Sequence, residues 1–287
     1  MVGAEPSHVG HQHTVRQLLR AYGLRPRREL GQNFLEDPAI LRRIVDAAEL
    51  TTDDLVLEVG PGLGTLTRPL AAQAGRVVAV ELDQQLVSIL RQELADCLNV
   101  EIVHGDILAL DPATLLPEWP GEYKVVANLP YYITSAVLRH LLESPLRPRL
   151  MVLTLQLEVA RRLVAGPGEM SLLAVSVQFY GKPRIVTRIS AGSFYPSPQV
   201  DSAVVRIDVY ERPPVPVDDA DSFFRVVQAG FAQRRKQLRN ALAHGLRRPV
   251  GEVVAALERA GIDPRRRAET LSLMEWAALW RELAAVG

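Results

Sequence analysis

The chain has 287 residues, 48% of them hydrophobic, enough for one large domain with a small companion and too apolar for wholesale disorder. A formal net charge of zero argues against a protein that coats nucleic acid indiscriminately. No apolar run reaches the roughly 18 residues of a membrane-spanning helix, and the single cysteine, Cys97, cannot form an internal disulfide.

In chain order, residues 1–13 read as a flexible extension without the basic head and apolar stretch of a secretory signal. Residues 14–28 carry five arginines (Arg16, Arg20, Arg25, Arg27, Arg28) and no acid. The run LVLEV at 55–59 predicts a strand that breaks into glycines, with helix from Leu66 onward. RVVAV at 76–80 repeats the pattern ahead of a helix over 84–94, and 100–103, 124–127 and 150–155 supply further strands. Strands alternating with helices of about ten residues indicate βαβ units and a parallel sheet covered on both faces. The strands at 183–189 and 202–209 lack an intervening helix and read as an antiparallel pair at one sheet edge. Arg212-Pro213-Pro214-Val215-Pro216 cannot continue a strand or helix. A division therefore follows: a Rossmann-like domain over 14–211, a linker over 212–217 and a helical domain over 218–287. Helical periodicity in that last part covers 220–231, 236–244, 250–260 and 275–285.

The charge is unevenly spread. Residues 222–287 hold twelve basic against six acidic residues, a net of +6. Arg234, Arg235, Lys236, Arg239, Arg247 and Arg248 form an acid-free cluster. Such a run is either a solvated face or an RNA contact. The same choice applies to Arg27 and Arg28.

Glu58-Val59-Gly60-Pro61-Gly62-Leu63-Gly64 follows one strand and opens a helix. Its glycines allow a sharp turn and close approach to a ligand. Glu81 closes the next strand, where a carboxylate can accept both ribose hydroxyls. Asp106 ends the third, placed to accept from an adenine amino group. Ligands of open α/β sheets sit beyond the carboxyl ends of strands, so these groups converge on a nucleoside cofactor. A helix N-cap is the alternative for either acid taken singly.

Asn128-Leu129-Pro130-Tyr131 after the fourth strand separates dehydrogenase from methyltransferase. The exocyclic amine of adenine is a poor nucleophile, so a site must hold it in line with a sulfonium methyl and accept bonds from its protons. The Asn128 side-chain oxygen and the Leu129 or Pro130 carbonyl offer two acceptors that favour the tetrahedral transition state. Tyr131 offers a face for the base. Phe194, in SFYPSP, is either a second stacking ring opposite Tyr131 or a core aromatic. A base held between rings must be flipped or unpaired. The histidines show no ligand spacing, and sulfonium methyl transfer needs no metal.

These residues resemble the ribosomal RNA adenine dimethyltransferases, and within them the bacterial small-subunit (16S) branch. GQNFL at 31–35, VLEVGPGLGTLT, NLPYYIT, FYPSPQVDSAVVRI and FAQRRKQLRNAL match five ordered signatures. The resemblance implies a class I methyltransferase fold and contacts from Asn33, Leu35, Gly60, Glu81, Asp106 and Asn128 to S-adenosylmethionine. It also implies that Asn128, Tyr131 and Phe194 handle an adenine. The implied substrate is a pair of adjacent adenines in the 3′-terminal hairpin loop of 16S ribosomal RNA, on a nearly mature small subunit. Leu157 stands where the family usually has lysine, and 169–173 also departs from its pattern. Rival readings are the resistance branch acting on large-subunit RNA and a ribosome assembly factor. A cytoplasmic monomer is expected.

Overall fold

A computed structural model describes residues 14–116 and 122–284. The expected extension at 1–13, with His11 and His13, lies outside the described residues. The elements run α1 (Val15–Ala21), β1 (Phe34–Leu35), α2 (Pro38–Ala48), β2 (Leu55–Val59), α3 (Thr67–Ala71), β3 (Arg76–Glu81), α4 (Gln84–Glu93) and β4 (Val100–His104). Next come α5 (Pro112–Leu115), β5 (Tyr123–Asn128), α6 (Thr134–Leu142), β6 (Leu150–Gln156), α7 (Leu157–Leu163), α8 (Leu172–Tyr180), β7 (Gly181–Ile189), β8 (Phe194–Tyr195) and β9 (Ser202–Val209). The tail is α9 (Ala220–Phe231), α10 (Leu238–Leu246), α11 (Val250–Arg259) and α12 (Leu273–Ala284).

Seven strands form one sheet in the order β4-β3-β2-β5-β6-β9-β7. The first five are parallel, and β9 runs antiparallel between β6 and β7. The expected class I methyltransferase sheet and its antiparallel edge pair are both present. The order reverses direction between β2 and β5, so the crevice at their carboxyl ends is the natural ligand position.

Alternation along the strands explains why β2 is buried throughout. Leu55, Leu57 and Val59 point into one core with Val125, Met151 and the tail helices, whereas Val56 joins Val77, Val126 and Val152 under α2 and α3. The first core runs from the sheet into the tail without a break. Phe179 of α8 stacks on Phe223 of α9 with ring centroids 5.0 Å apart, and Val215 between the two parts is buried in the same cluster.

A third cluster decides how the crevice is roofed. Val15, Leu18 and Leu19 of α1 pack with Phe34, Leu63, Leu86 and Ile89. Helix α1 starts at a capping box on Thr14 and Gln17. The same segment is pinned further along, where β1 pairs with β8 through Phe34↔Tyr195 and Leu35↔Phe194.

At the opposite end of the sheet, Lys124 is 2% exposed. Its ammonium donates to the Glu49 carbonyl at 2.7 Å, at the end of α2, and to Asp54 Oδ2 at 2.9 Å. The departures noted at Leu157 and 169–173 are accommodated locally. Leu157 packs partly buried against the main core, and Ser171 caps α8 by accepting from the Ala174 N–H.

Candidate active site

A cavity of about 310 Å³ opens at the carboxyl ends of β2, β3, β4 and β5, within the size range of small-molecule sites. Its wall includes Asn33, Leu35, Gly60, Glu81, Asp106, Asn128, Leu129, Pro130 and Tyr131. The sequence-derived cofactor and base groups, Phe194 excepted, thus meet in one place.

The glycine loop is shaped by its neighbours. Gly60 has φ +68°, and its N–H donates to the Val80 carbonyl at 2.9 Å, fastening the loop to β3. Gly62 has φ +63°, and a Cβ there would lie 2.9 Å from the Phe34 ring, so only glycine fits under the roof.

Three carboxyl groups border the cavity. Glu81 is 6% exposed and accepts from the Gly62 N–H at 3.1 Å and the Asp83 N–H at 2.9 Å, one on each oxygen. Each oxygen keeps a lone pair for a ligand hydroxyl. Burial pushes this carboxyl above its usual range. Asp106 caps the turn that follows β4, accepting from the Leu108 N–H on Oδ1 at 3.0 Å. The N-cap reading of Asp106 therefore holds as well, and Oδ2 has no protein donor among the described residues. Glu58 is 1% exposed, and its Oε2 has no hydrogen-bond partner among the described residues. Burial, aided by the Glu81 charge, pushes its carboxyl up to about 8.

Asn128 closes the other side. Its Nδ2 donates to the Asn33 carbonyl at 3.0 Å, which orients the amide so that Oδ1 is the atom left to accept. The Pro130 carbonyl is engaged by the Ile133 N–H at 3.2 Å and the Thr134 hydroxyl at 3.5 Å. Tyr131 is half-buried and its hydroxyl bonds the fully buried Ser202 Oγ at 2.7 Å, which anchors the ring to β9. Burial raises its phenol above the ordinary range.

Comparisons with known proteins decide the family. Residues 23–285 match the family described as ribosomal RNA adenine dimethylase. The chain belongs to that family. The "Ribosomal RNA small subunit methyltransferase A" of Dehalococcoides mccartyi is 49% identical over 266 residues, covering 92% of this chain and 91% of that protein. Its namesake in Moorella thermoacetica is 48% identical over 275 residues, covering 93% and 95%. Among solved structures, the 23S rRNA methyltransferase ErmE aligns with a TM-score of 0.70 and 32% identity, covering 88% of this chain and 100% of that one. A dimethyladenosine transferase from Plasmodium falciparum, 24% identical, shares the fold with a TM-score of 0.75 over 88% and 98% of the two chains.

As a ribosomal RNA adenine dimethylase, the protein uses S-adenosylmethionine as methyl donor, and its residues fit that molecule. The Gly62 cradle admits close backbone approach, and Glu81 suits ribose hydroxyls. The orphaned Glu58 oxygen suits the ammonium of an amino-acid tail.

Two of the expected contact residues have other partners in this structure. Phe194 is 3% exposed and packs in the core with Leu35, Ile40 and Ile44, away from the cavity wall. Pairing with β1 turns it into that core and turns Tyr195 toward the α1 cluster, with Arg16 4.6 Å above its ring. The core-aromatic alternative describes Phe194 in this structure. Arg27 lies 3.4 Å from Asp83 and donates to Gln85 Oε1 at 2.9 Å, held against the start of α4 with its side chain part exposed. The Arg28 side chain lies outside the described residues. In the tail, Arg234, Arg235 and Lys236 are exposed in the turn between α9 and α10, with no ion pair among the described residues, and Arg239 is half-buried in α10.

Sequence reasoning passed over Glu58, Leu82 and Tyr132, all of which line the cavity. Glu58 sits inside an apolar strand run where no spacing marks it. The doubled tyrosine of NLPYYIT was the visible signal for Tyr132.

Proposed function

We propose that this chain transfers methyl groups from S-adenosylmethionine to N6 of two adjacent adenines in the 3′-terminal hairpin loop of 16S ribosomal RNA, on late small-subunit particles in the cytoplasm. The observation that carries the chemistry is the Asn128 amide, fixed by its bond to the Asn33 carbonyl. When bound, the cofactor supplies an electrophilic methyl on a sulfonium. Asn128 Oδ1 accepts one proton of the adenine amine, and the Leu129 carbonyl, which has no donor among the described residues whereas the Pro130 carbonyl is engaged, accepts the other. Both bonds strengthen as the nitrogen becomes tetrahedral. Tyr131 holds the flipped base by its face, steadied through Ser202. Water receives the proton released after transfer.

Asn33, Leu35, Gly60, Glu81 and Asp106 hold the cofactor in this reading. Arg234, Arg235, Lys236 and Arg239 contact RNA phosphates. The methyltransferase domain spans 14–211, joined by 212–217 to the helical domain at 218–287, and the working unit is a monomer. Two comparisons support the small-subunit branch: relatives of that description reach 49% identity, against 32% for the large-subunit enzyme ErmE.

The test offers purified protein and labelled S-adenosylmethionine to small subunits lacking adenine dimethylation and, separately, to large subunits. The expected result is labelled N6,N6-dimethyladenosine in the small-subunit RNA alone. Label in large-subunit RNA would move the assignment to the resistance branch. Absence of label with cofactor bound would favour an assembly role.

A further inference from the structure

Tyr131 and Tyr132 are adjacent in sequence and are used differently. Tyr131 is anchored to Ser202 at the β9 side of the cavity. Tyr132 is 58% exposed, lines the cavity, and its hydroxyl has no hydrogen-bond partner among the described residues. An exposed aromatic ring of this kind at a cavity mouth is surface that a ligand can cover.

Its neighbours show which ligand part it would meet. Gly31, at φ +62°, lies beside the ring: a Cβ there would sit 3.4 Å from Tyr132 Cδ1, in ordinary van der Waals contact. The ring therefore stands on the 30–33 segment that roofs the cofactor loop. Asp106 and Glu81 line the same cavity as Tyr132, and burial together with their charges raises its phenol. Those are the groups read here as holding adenine and ribose. Tyr131 is held toward Ser202, and Tyr132 stands beside Gly31.

We propose that Tyr132 is a cofactor-binding residue whose ring covers the adenosine part of S-adenosylmethionine from the solvent side. This rests on reading the cavity as the cofactor site. The interaction is a surface one, made to a moiety shared by S-adenosylmethionine and its demethylated product, and needs no sulfonium charge. Loss of the ring therefore weakens both ligands alike. Stacking of a base on an aromatic ring corresponds to roughly a tenfold change in affinity or more.

The experiment is equilibrium binding of S-adenosylmethionine and S-adenosylhomocysteine to the full chain, as parent, Tyr132→Ala, Tyr132→Phe and Glu81→Ala. Melting curves confirm that each variant is folded. Tyr132→Ala should weaken both ligands by about tenfold, with a matching rise in KM for the cofactor, and Tyr132→Phe should recover most of the loss. Unchanged binding in Tyr132→Ala, with binding lost in Glu81→Ala, would overturn the Tyr132 role and leave the cavity reading standing. Unchanged binding in both would overturn the cavity reading and the proposal with it. Weakening of S-adenosylmethionine alone would mean a cation–π interaction with the sulfonium, and a rise only in KM for the RNA would mean a base platform; either result overturns the proposal.

Discussion

Asn128 shows how one amide can be made directional. Its nitrogen is spent on the Asn33 carbonyl, so its oxygen is the remaining acceptor. Asn128→Ala should lower the rate of methyl transfer by roughly 100-fold or more, the scale of losing one preorganised transition-state bond. Cofactor affinity measured by calorimetry should fall far less, and a variant that turned over at parental rate would sink the amine-orienting role. Glu58 makes a pH-dependent case. Its carboxyl ordinarily titrates near 4.5 and is pushed up to about 8 in the cofactor-free fold. Between those values the folded state keeps a proton that the unfolded chain has released, so stability falls as pH rises through the window. Glu58→Gln removes the titration. Its melting temperature should gain on the parent progressively from about pH 5 to about pH 8, and a constant gap would refute the assignment.

At this scale the sequence was legible where glycine or carboxylate spacing met strand ends, as at Gly60, Glu81, Asp106 and Asn128. It was silent at Glu58, because an acid within LVLEV carries no sign of which face it occupies or whether it finds a donor. The sequence left Phe194 between stacking ring and core aromatic for a related reason. Its direction is set by pairing with Leu35, some 160 residues earlier, and no local pattern encodes that.

Among elements, the parallel strands were readable because buried β-branched runs alternate with helices. The ribbon of β1 and β8 was not, since two residues per strand give no periodicity. Helix α2 begins at Pro38 behind the Asp37 cap and ends against the ammonium of Lys124. A lysine in mid-strand is a poor sheet residue on sequence grounds. Here it joins the end of α2, the turn before β2 and strand β5 through Glu49 and Asp54. Lys124→Met should destabilise the protein in urea titrations toward the low end of the roughly 3–5 kcal/mol of a broken buried pair, because Asp54 keeps its bonds from Thr51 and Arg149 at 3.6 Å. Adding Asp54→Asn should restore part of that loss. Full stability in the single variant would show the pair to be dispensable.

For the whole molecule, the relevant electrostatic quantity is local. The chain sums to zero charge, yet the α9–α10 turn presents Arg234, Arg235 and Lys236 to solvent. Reversing Arg234 and Arg235 to glutamate should weaken association with small subunits. Its dependence on salt should flatten by about one unit of slope for each phosphate no longer neutralised. An unchanged slope in filter binding would make the turn a solvated face. The tail was legible as helices, but its union with the sheet was not. The Phe179–Phe223 stack joins residues on either side of a proline-rich segment that reads as a boundary.

The open sheet has a consequence for how the protein keeps company with itself. Among the described residues, strands β4 and β7 each leave one row of backbone groups without a neighbouring strand, the arrangement through which sheets template one another. Exposed Glu101 and His104 stand on β4, and exposed Lys182, Arg184 and Arg188, with Pro183 among them, stand on β7. The Arg43 side chain also reaches from α2 to Thr187 at 2.8 Å. The like charges on β7 make pairing of two β7 edges repulsive, and burying them costs hydration. Replacing Lys182, Arg184 and Arg188 together by valine should therefore give more concentration-dependent association in sedimentation velocity than the parent gives. A variant that associated no more than the parent would locate the protection in the shape of the edge and not in its charge.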